Sequence, residues 1–191
     1  MNANGGIFFM KATGIVRRID DLGRIVIPKE IRRTMRIREG DPMEIFTSRE
    51  GEILLKKYSP VGELGEFASV LAESMAQALG TLVCVTDRDY VIAAAGNGKK
   101  EIEGRLLDEQ LQQAIDQRIY RVCRKNEKEY IKIIQDDSKE YERQAVATIL
   151  SHGDSIGAVV VLDKEIGSNA EDTLLQVAKT VAGFLGRHME Q

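Results

Sequence analysis

Residues 20–37 read DDLGRIVIPKEIRRTMRI, and the way this run divides decides how the first third of the chain folds. Asp20-Asp21-Leu22-Gly23 has the acids and the glycine of a tight turn. GRIVIP after it is a short β-rich run, matched by TGIVRRI before it, so two strands are expected to flank the turn. Pro28 then stands where proline is tolerated, in the first turn of a helix. That helix, PKEIRRTMRI, lasts barely two turns before Arg38-Glu39-Gly40-Asp41-Pro42 stops it. With Ile31 at zero and about 100° per residue, Met35 and Pro28 share its core-facing side. Arg32, Arg36, Lys29 and Arg33 fall at roughly 100°, 140°, 160° and 200° on the same wheel, opposite that side. Arg17, Arg18 and Arg24 lie on the strands leading into the helix, with Lys11 upstream.

Two more strands are expected downstream, MEIFTS and EILLKKY, joined by a turn at Glu50-Gly51. Four short strands and one small helix bury little surface, and domains of this size often need a partner chain. The segment is therefore expected to fold as an intertwined dimer. Charge follows the same division. Residues 10–58 hold 12 Lys and Arg against 8 Asp and Glu, a balance of +4, whereas residues 59–191 hold 15 against 22, a balance of −7. A solvated charged face is the plain reading of such a basic run. Against it, arginines outnumber lysines and few acids stand at i+4 to pair with them. Arginine also suits bidentate contact with phosphate and guanine better than lysine does. A dimer would double the patch with the two-fold symmetry of duplex DNA.

Beyond Ser59-Pro60-Val61-Gly62, Leu64, Phe67, Leu71, Met75 and Leu79 recur at helical spacing. From 81 onward TLVCVT and YVIAAAG flank Asp87-Arg88-Asp89 as a hairpin, and EGRLLDEQLQQAIDQR reads as an amphipathic helix. QAVATIL and IGAVVVL flank a turn at His152–Ser155 as central strands covered on both faces. A last helix begins near Asn169. The class is α+β, an antiparallel sheet with helices packed on it. The expected organisation is a small β domain over 10–60, a linker helix over 61–80, and a sheet-and-helix domain over 81–191. The 62–80 and 169–189 helices are expected to pack across a dimer axis as a bundle.

Hydrophobic residues make up 43% and charged residues 30% of the chain, the mix of an ordinary globular protein. No apolar run approaches the roughly 18 residues of a membrane span, so no membrane partner is expected; a cytoplasmic, nucleoid-associated location is the expectation that goes with binding to duplex DNA. MNANGGIFF, before Met10, lacks the basic start of a signal peptide and is set aside as an upstream extension. Cys84 and Cys123 are read as buried thiols, and His152 and His188 as solvated. Gly96-Asn97-Gly98-Lys99-Lys100 lacks the spacing and the hydroxyl of a nucleotide-phosphate loop and reads as a surface loop. Asp87 and Asp89 read as turn acids. No metal site or cofactor is expected.

The run MKATGIVRRIDDLGRIVIPKEIRRTMRIREGDPMEIF, ending in ILLKKY, resembles the AbrB-type swapped-hairpin DNA-binding domain of transition-state regulators. The whole chain resembles two-domain sporulation regulators of endospore-forming bacteria. That resemblance implies a dimeric DNA-binding module, a C-terminal GAF-like domain, and a tetramer that activates and represses late, forespore-expressed genes. It also implies that the arginines of the GIVRR, LGRI and EIRR motifs touch DNA, here Arg17, Arg24, Arg32 and Arg33. For residues 81–191 an effector sensor, an oligomerisation scaffold and a docking surface all stay open. An antitoxin-like protein that docks a partner through its C-terminal domain is the alternative function. An enzyme is the third, with no nucleophile–base pair, metal spacing or phosphate loop behind it.

Overall fold

The computed structural model describes residues 13–136, 141–164 and 170–190. The chain divides between Tyr58 and Ser59 into two units.

In the first unit the backbone N–H of Gly23 donates to the Asp20 carbonyl at 3.0 Å, and that of Asp20 to the Arg24 carbonyl at 3.1 Å, closing the expected turn. The runs on either side of it carry no strand ladder within the single chain. A strand exists only where a second backbone answers its N–H and C=O groups. A short helix, α1 (Lys29–Thr34), follows Pro28, which caps it without a side-chain hydrogen bond. Strands β1 (Met43–Thr47) and β2 (Ile53–Lys57) then pair antiparallel, from Met43 opposite Lys57 to Thr47 opposite Ile53. Ser48 shapes the turn between them, its Oγ accepting the N–H groups of Glu50 and Glu52 at 3.3 and 3.2 Å. Among the described residues of this unit only Pro28 is buried. Val16 is 85% exposed, Val26 72% and Ile45 66%.

The second unit opens with Ser59, whose Oγ caps the short α2 (Pro60–Glu63) through the Gly62 N–H at 3.0 Å and donates to Asp87 Oδ2 at 2.8 Å. Helix α3 (Gly65–Leu79) ends on Gly80 in the left-handed conformation. Strands β3 (Leu82–Thr86) and β4 (Val91–Ala95), the four-residue α4 (Lys99–Ile102), helix α5 (Glu109–Asp116), strands β5 (Tyr120–Arg124), β6 (Arg143–Ser151) and β7 (Asp154–Asp163), and helix α6 (Glu171–His188) complete it. The sheet runs β4-β3-β7-β6-β5 with every neighbour antiparallel. The sheet has two buried faces, as continuously apolar strands require. On one, Ala68, Ala72 and Met75 of α3 and Leu174, Ala178 and Leu185 of α6 pack on Val83, Ala147 and Val159. On the other, Leu107, Leu111 and Ile115 cover Cys84, Val146 and Val160.

Helix α3, read from sequence as a joint, is thus part of the second unit's core. It lies beside α6 within one chain, with the Phe67 and Phe184 rings 5.5 Å apart. Helix α6 approaches β6 so closely at Gly186 that a Cβ there would overlap the Leu150 carbonyl oxygen. Strand β5, with its sequence YRVCR, was not foreseen. It is an edge strand, and its arginines stand in place of the apolar run that marks an inner strand.

Candidate nucleic-acid interface

The basic residues are set out by three local devices, each dictated by sequence. The first is the Asp20 turn. Asp20 Oδ1 accepts the N–H groups of Leu22 and Arg24 at 3.0 and 2.8 Å, and Oδ2 accepts Arg24 Nε at 2.8 Å. The Arg24 N–H, then its guanidinium, hold the Asp20 carboxyl below the usual carboxylate range. An aspartate followed by a left-handed glycine does this wherever it can fold back on its own backbone, and Gly23 has φ +76.

The second device is α1. Lys29, Arg32 and Arg33 stand on it at i, i+3 and i+4, which makes them neighbours on one helix face. All three are exposed. Thr34 Oγ1 turns back to the Glu30 carbonyl at 2.9 Å.

The third is the helix stop. Arg36 lies beyond α1 in the left-handed region at φ +54. The Ile37 N–H reaches the Arg32 carbonyl at 2.8 Å and the Arg36 N–H the Arg33 carbonyl at 3.3 Å, the paired bonds of a left-handed helix cap. Arg36 therefore leaves the helical wheel on which sequence reading placed it, and it is half-buried. Met35, expected to face a core, is 62% exposed in the single chain.

A clamp that sequence reading missed fixes this stop. Lys57 Nζ, at the end of β2, sits 2.9 Å from Asp41 Oδ2 and donates to the Arg36 carbonyl at 3.2 Å. Asp41 Oδ2 also takes the Arg38 N–H at 2.7 Å. Nothing in the local pattern links residues 36, 41 and 57; only the β1–β2 register brings them together.

Arg17, Arg18 and Arg24 are exposed on the segment leading to α1, and Lys11 lies outside the described residues. Among the described residues Arg17, Arg18, Lys29, Arg32 and Arg33 make no ion pair. The surface is thus a set of exposed, unanswered cations around one turn and one short helix. It can attract a polyanion and offer planar guanidinium groups to it.

In the second unit the turn acids have backbone work. Asp87 Oδ1 accepts the N–H groups of Asp89 and Tyr90, each at 2.7 Å. Cys84 and Cys123 are buried free thiols, and burial pushes the Cys123 thiol up. Gly98 caps α4, which is too short to bind phosphate by its dipole. Among the described residues no cluster of His, Cys, Asp and Glu could hold a metal ion, and no helix is long and apolar enough to cross a membrane.

Comparison with known proteins agrees with this division. The family described as stage V sporulation protein T C-terminal, transcription factor, matches residues 63–190. The family described as antidote-toxin recognition MazE, bacterial antitoxin, matches residues 16–63. Over 182 residues the chain is 46% identical to stage V sporulation protein T of Bacillus subtilis (strain 168), covering 95% of this chain and 100% of that protein. Over 52 residues it is 60% identical to the transition state regulatory protein AbrB of the same organism, covering 27% of this chain and 53% of that one. The second GAF domain of DevS from Mycobacterium smegmatis matches with a TM-score of 0.51 and 13% identity, over 69% of this chain and 94% of that one; it supports the GAF-like fold alone. The fold is α+β, an AbrB-type N-terminal domain followed by a GAF-like one. With both halves accounted for, the chain belongs to the stage V sporulation protein T family of transcription factors.

Proposed function

We propose that the chain is a DNA-binding regulator of late sporulation genes that grips duplex DNA through the basic surface of its first unit. The observation that carries this reading is the group of exposed, ion-pair-free cations at Arg17, Arg18, Lys29, Arg32 and Arg33, next to the Asp20-braced Arg24. Arg17, Arg24, Arg32 and Arg33 are the principal contacts, Arg18 and Lys29 extend the surface, Arg36 lies at its margin, and Lys11 is the further cation that joins them. The first unit works as a dimer. With Pro28 its only buried side chain among the described residues, it needs a second copy to cover Val16, Val26 and Ile45. The partner's strands would also pair with the unladdered runs around the turn. The outer flanks of α3 and α6 join such dimers into a tetramer. The protein acts in the cytoplasm without catalysis, as both activator and repressor.

The test is titration of duplex DNA at several salt concentrations with the wild type, Arg24→Ala and Arg32→Ala. Each variant is expected to bind more weakly, with a salt slope shallower by about 0.9 per lost phosphate contact. Unchanged slopes in both remove the phosphate-contact role. The match of residues 16–63 to an antitoxin family favours a second reading, docking of a partner protein through the C-terminal domain. The well-filled core of the second unit weighs against it, since antitoxin tails fold only on their partner.

A further inference from the structure

Asp20 and Asp21 stand side by side in one turn, and only the first has a task in the fold. The Asp20 carbonyl takes the Gly23 N–H at 3.0 Å, and its carboxylate takes the Leu22 N–H, the Arg24 N–H and Arg24 Nε. Asp21 follows at the tip of the turn, exposed, and its side chain makes no hydrogen bond or ion pair among the described residues. The turn does not need an acid there, since the second position of an ordinary turn accepts most residues. Attraction of a polyanion needs the opposite charge. Asp21 is therefore an acid that neither the fold nor the pull on DNA accounts for, set in a stretch, residues 10–58, that is basic as a whole.

Chain geometry fixes how near this acid comes to whatever Arg24 holds. The Arg24 guanidinium folds back on Asp20 at 2.8 Å, and Asp21 is one Cα step of about 3.8 Å further on. The two charges thus lie on the scale of the roughly 10 Å over which ions act at ordinary salt. A phosphate gripped by Arg24 is repelled by Asp21, and the cost falls on every DNA sequence alike. It is offset only where a base presents a hydrogen-bond donor, because a carboxylate accepts and does not donate. In the major groove cytosine N4 and adenine N6 are donors, whereas thymine O4 and guanine O6 and N7 are acceptors. The minor groove is narrower, and where it narrows most its negative potential is the least hospitable to an acid.

We propose that Asp21 is a specificity-determining residue: it repels the DNA backbone at every site and accepts a hydrogen bond from the exocyclic amino group of one cytosine or adenine at the preferred one. The inference rests on the reading of the first unit as the DNA-binding surface, and Arg24→Ala tests that reading separately. Duplexes are enriched from a randomised library by the full wild-type chain. Their binding, and that of sonicated mixed-sequence DNA, is then measured for wild type, Asp21→Ala and Arg24→Ala. Asp21→Ala is expected to bind mixed-sequence DNA about three- to tenfold more tightly, a gain that fades as salt rises. Its preference for the enriched duplexes is expected to fall at least about tenfold. Exchange of the contacted cytosine or adenine for thymine is expected to weaken the wild type and to leave Asp21→Ala unmoved. The melting temperature of Asp21→Ala is expected to match wild type, as for an exposed side chain without partners. Mixed-sequence binding by Asp21→Ala no tighter than wild type, an unchanged preference, equal losses on base exchange, or a lower melting temperature overturns the proposal even where Arg24→Ala weakens binding. Unchanged binding by Arg24→Ala removes the DNA-contact reading, and this proposal with it.

Discussion

Asp20 holds Arg24 at two points, the backbone N–H through one carboxylate oxygen and Nε through the other, each at 2.8 Å. The acid is thereby committed to the turn, and the arginine is aimed before any ligand arrives. Because these bonds favour the ionised form, the folded pKa of Asp20 lies below its unfolded value. The stabilisation is complete above the unfolded pKa and is lost as pH falls through the folded one. Carboxyl-carbon NMR is expected to show Asp20 titrating below the usual carboxylate range. A midpoint within the usual carboxylate range contradicts the bracing.

Arg36 carries a side chain through a left-handed backbone conformation that glycine adopts without cost. Arg36→Gly is expected to stabilise the first unit by up to about 1 kcal/mol, less what glycine loses in unfolded-state freedom. Arg36→Ala keeps the strain and is expected to bring no such gain. Calorimetry of the two variants separates strain from charge.

If a second copy completes the first unit, its thermal midpoint rises with protein concentration. Ile25→Asp is the sharper check. Ile25 is exposed in the single chain, where the change would shift stability by less than about 0.5 kcal/mol. In a dimer it would bury an unpaired charge and abolish the cooperative transition. A midpoint independent of concentration, with Ile25→Asp neutral, removes the dimer.

Helix α6 offers a paired test three residues apart. At Gly186 a Cβ meets the β6 backbone, while at Gly183 it meets only the tip of Arg187, 3.5 Å away. Gly186→Ala is expected to destabilise by about 1–3 kcal/mol through overpacking. Gly183→Ala is expected to stabilise by up to about 1 kcal/mol through helix propensity. Urea denaturation reads both.

The buried Arg143–Asp163 pair spans β6 and β7. Asp163→Ala removes the carboxylate that answers the buried Arg143 guanidinium and is expected to cost about 3–5 kcal/mol. Joint replacement by Met and Leu is expected to recover most of that loss. A single variant as stable as wild type would show that water reaches the pair.

What the sequence disclosed follows from how locally each feature is encoded. Strands β6 and β7 and helices α3 and α6 were legible because apolar residues repeat at strand or helix period over eight or more positions. The Asp20 turn was legible because its acid and glycine act within four residues. Arg36 was misplaced because a helical wheel assumes that the helix goes on, and the left-handed stop leaves no mark when the residue is not glycine. The ladders expected for TGIVRRI and GRIVIP require a backbone that one chain does not supply.

The middle strand of the larger sheet, β7, is also the last strand to leave the ribosome. Until it emerges, β3–β4 and β5–β6 are separate hairpins with no seam between them. Residues up to Tyr58 precede the end of β7 by roughly 100 residues, on the order of 5–20 s of synthesis. A growing chain thus presents its leading end well before its trailing end can close, and ribosomes queued on one message bring such ends together. If a second copy completes the first unit, pairing at the front during translation favours sister chains from the same message over strangers, and a stop codon before β7 leaves that pairing intact while the rear half never forms.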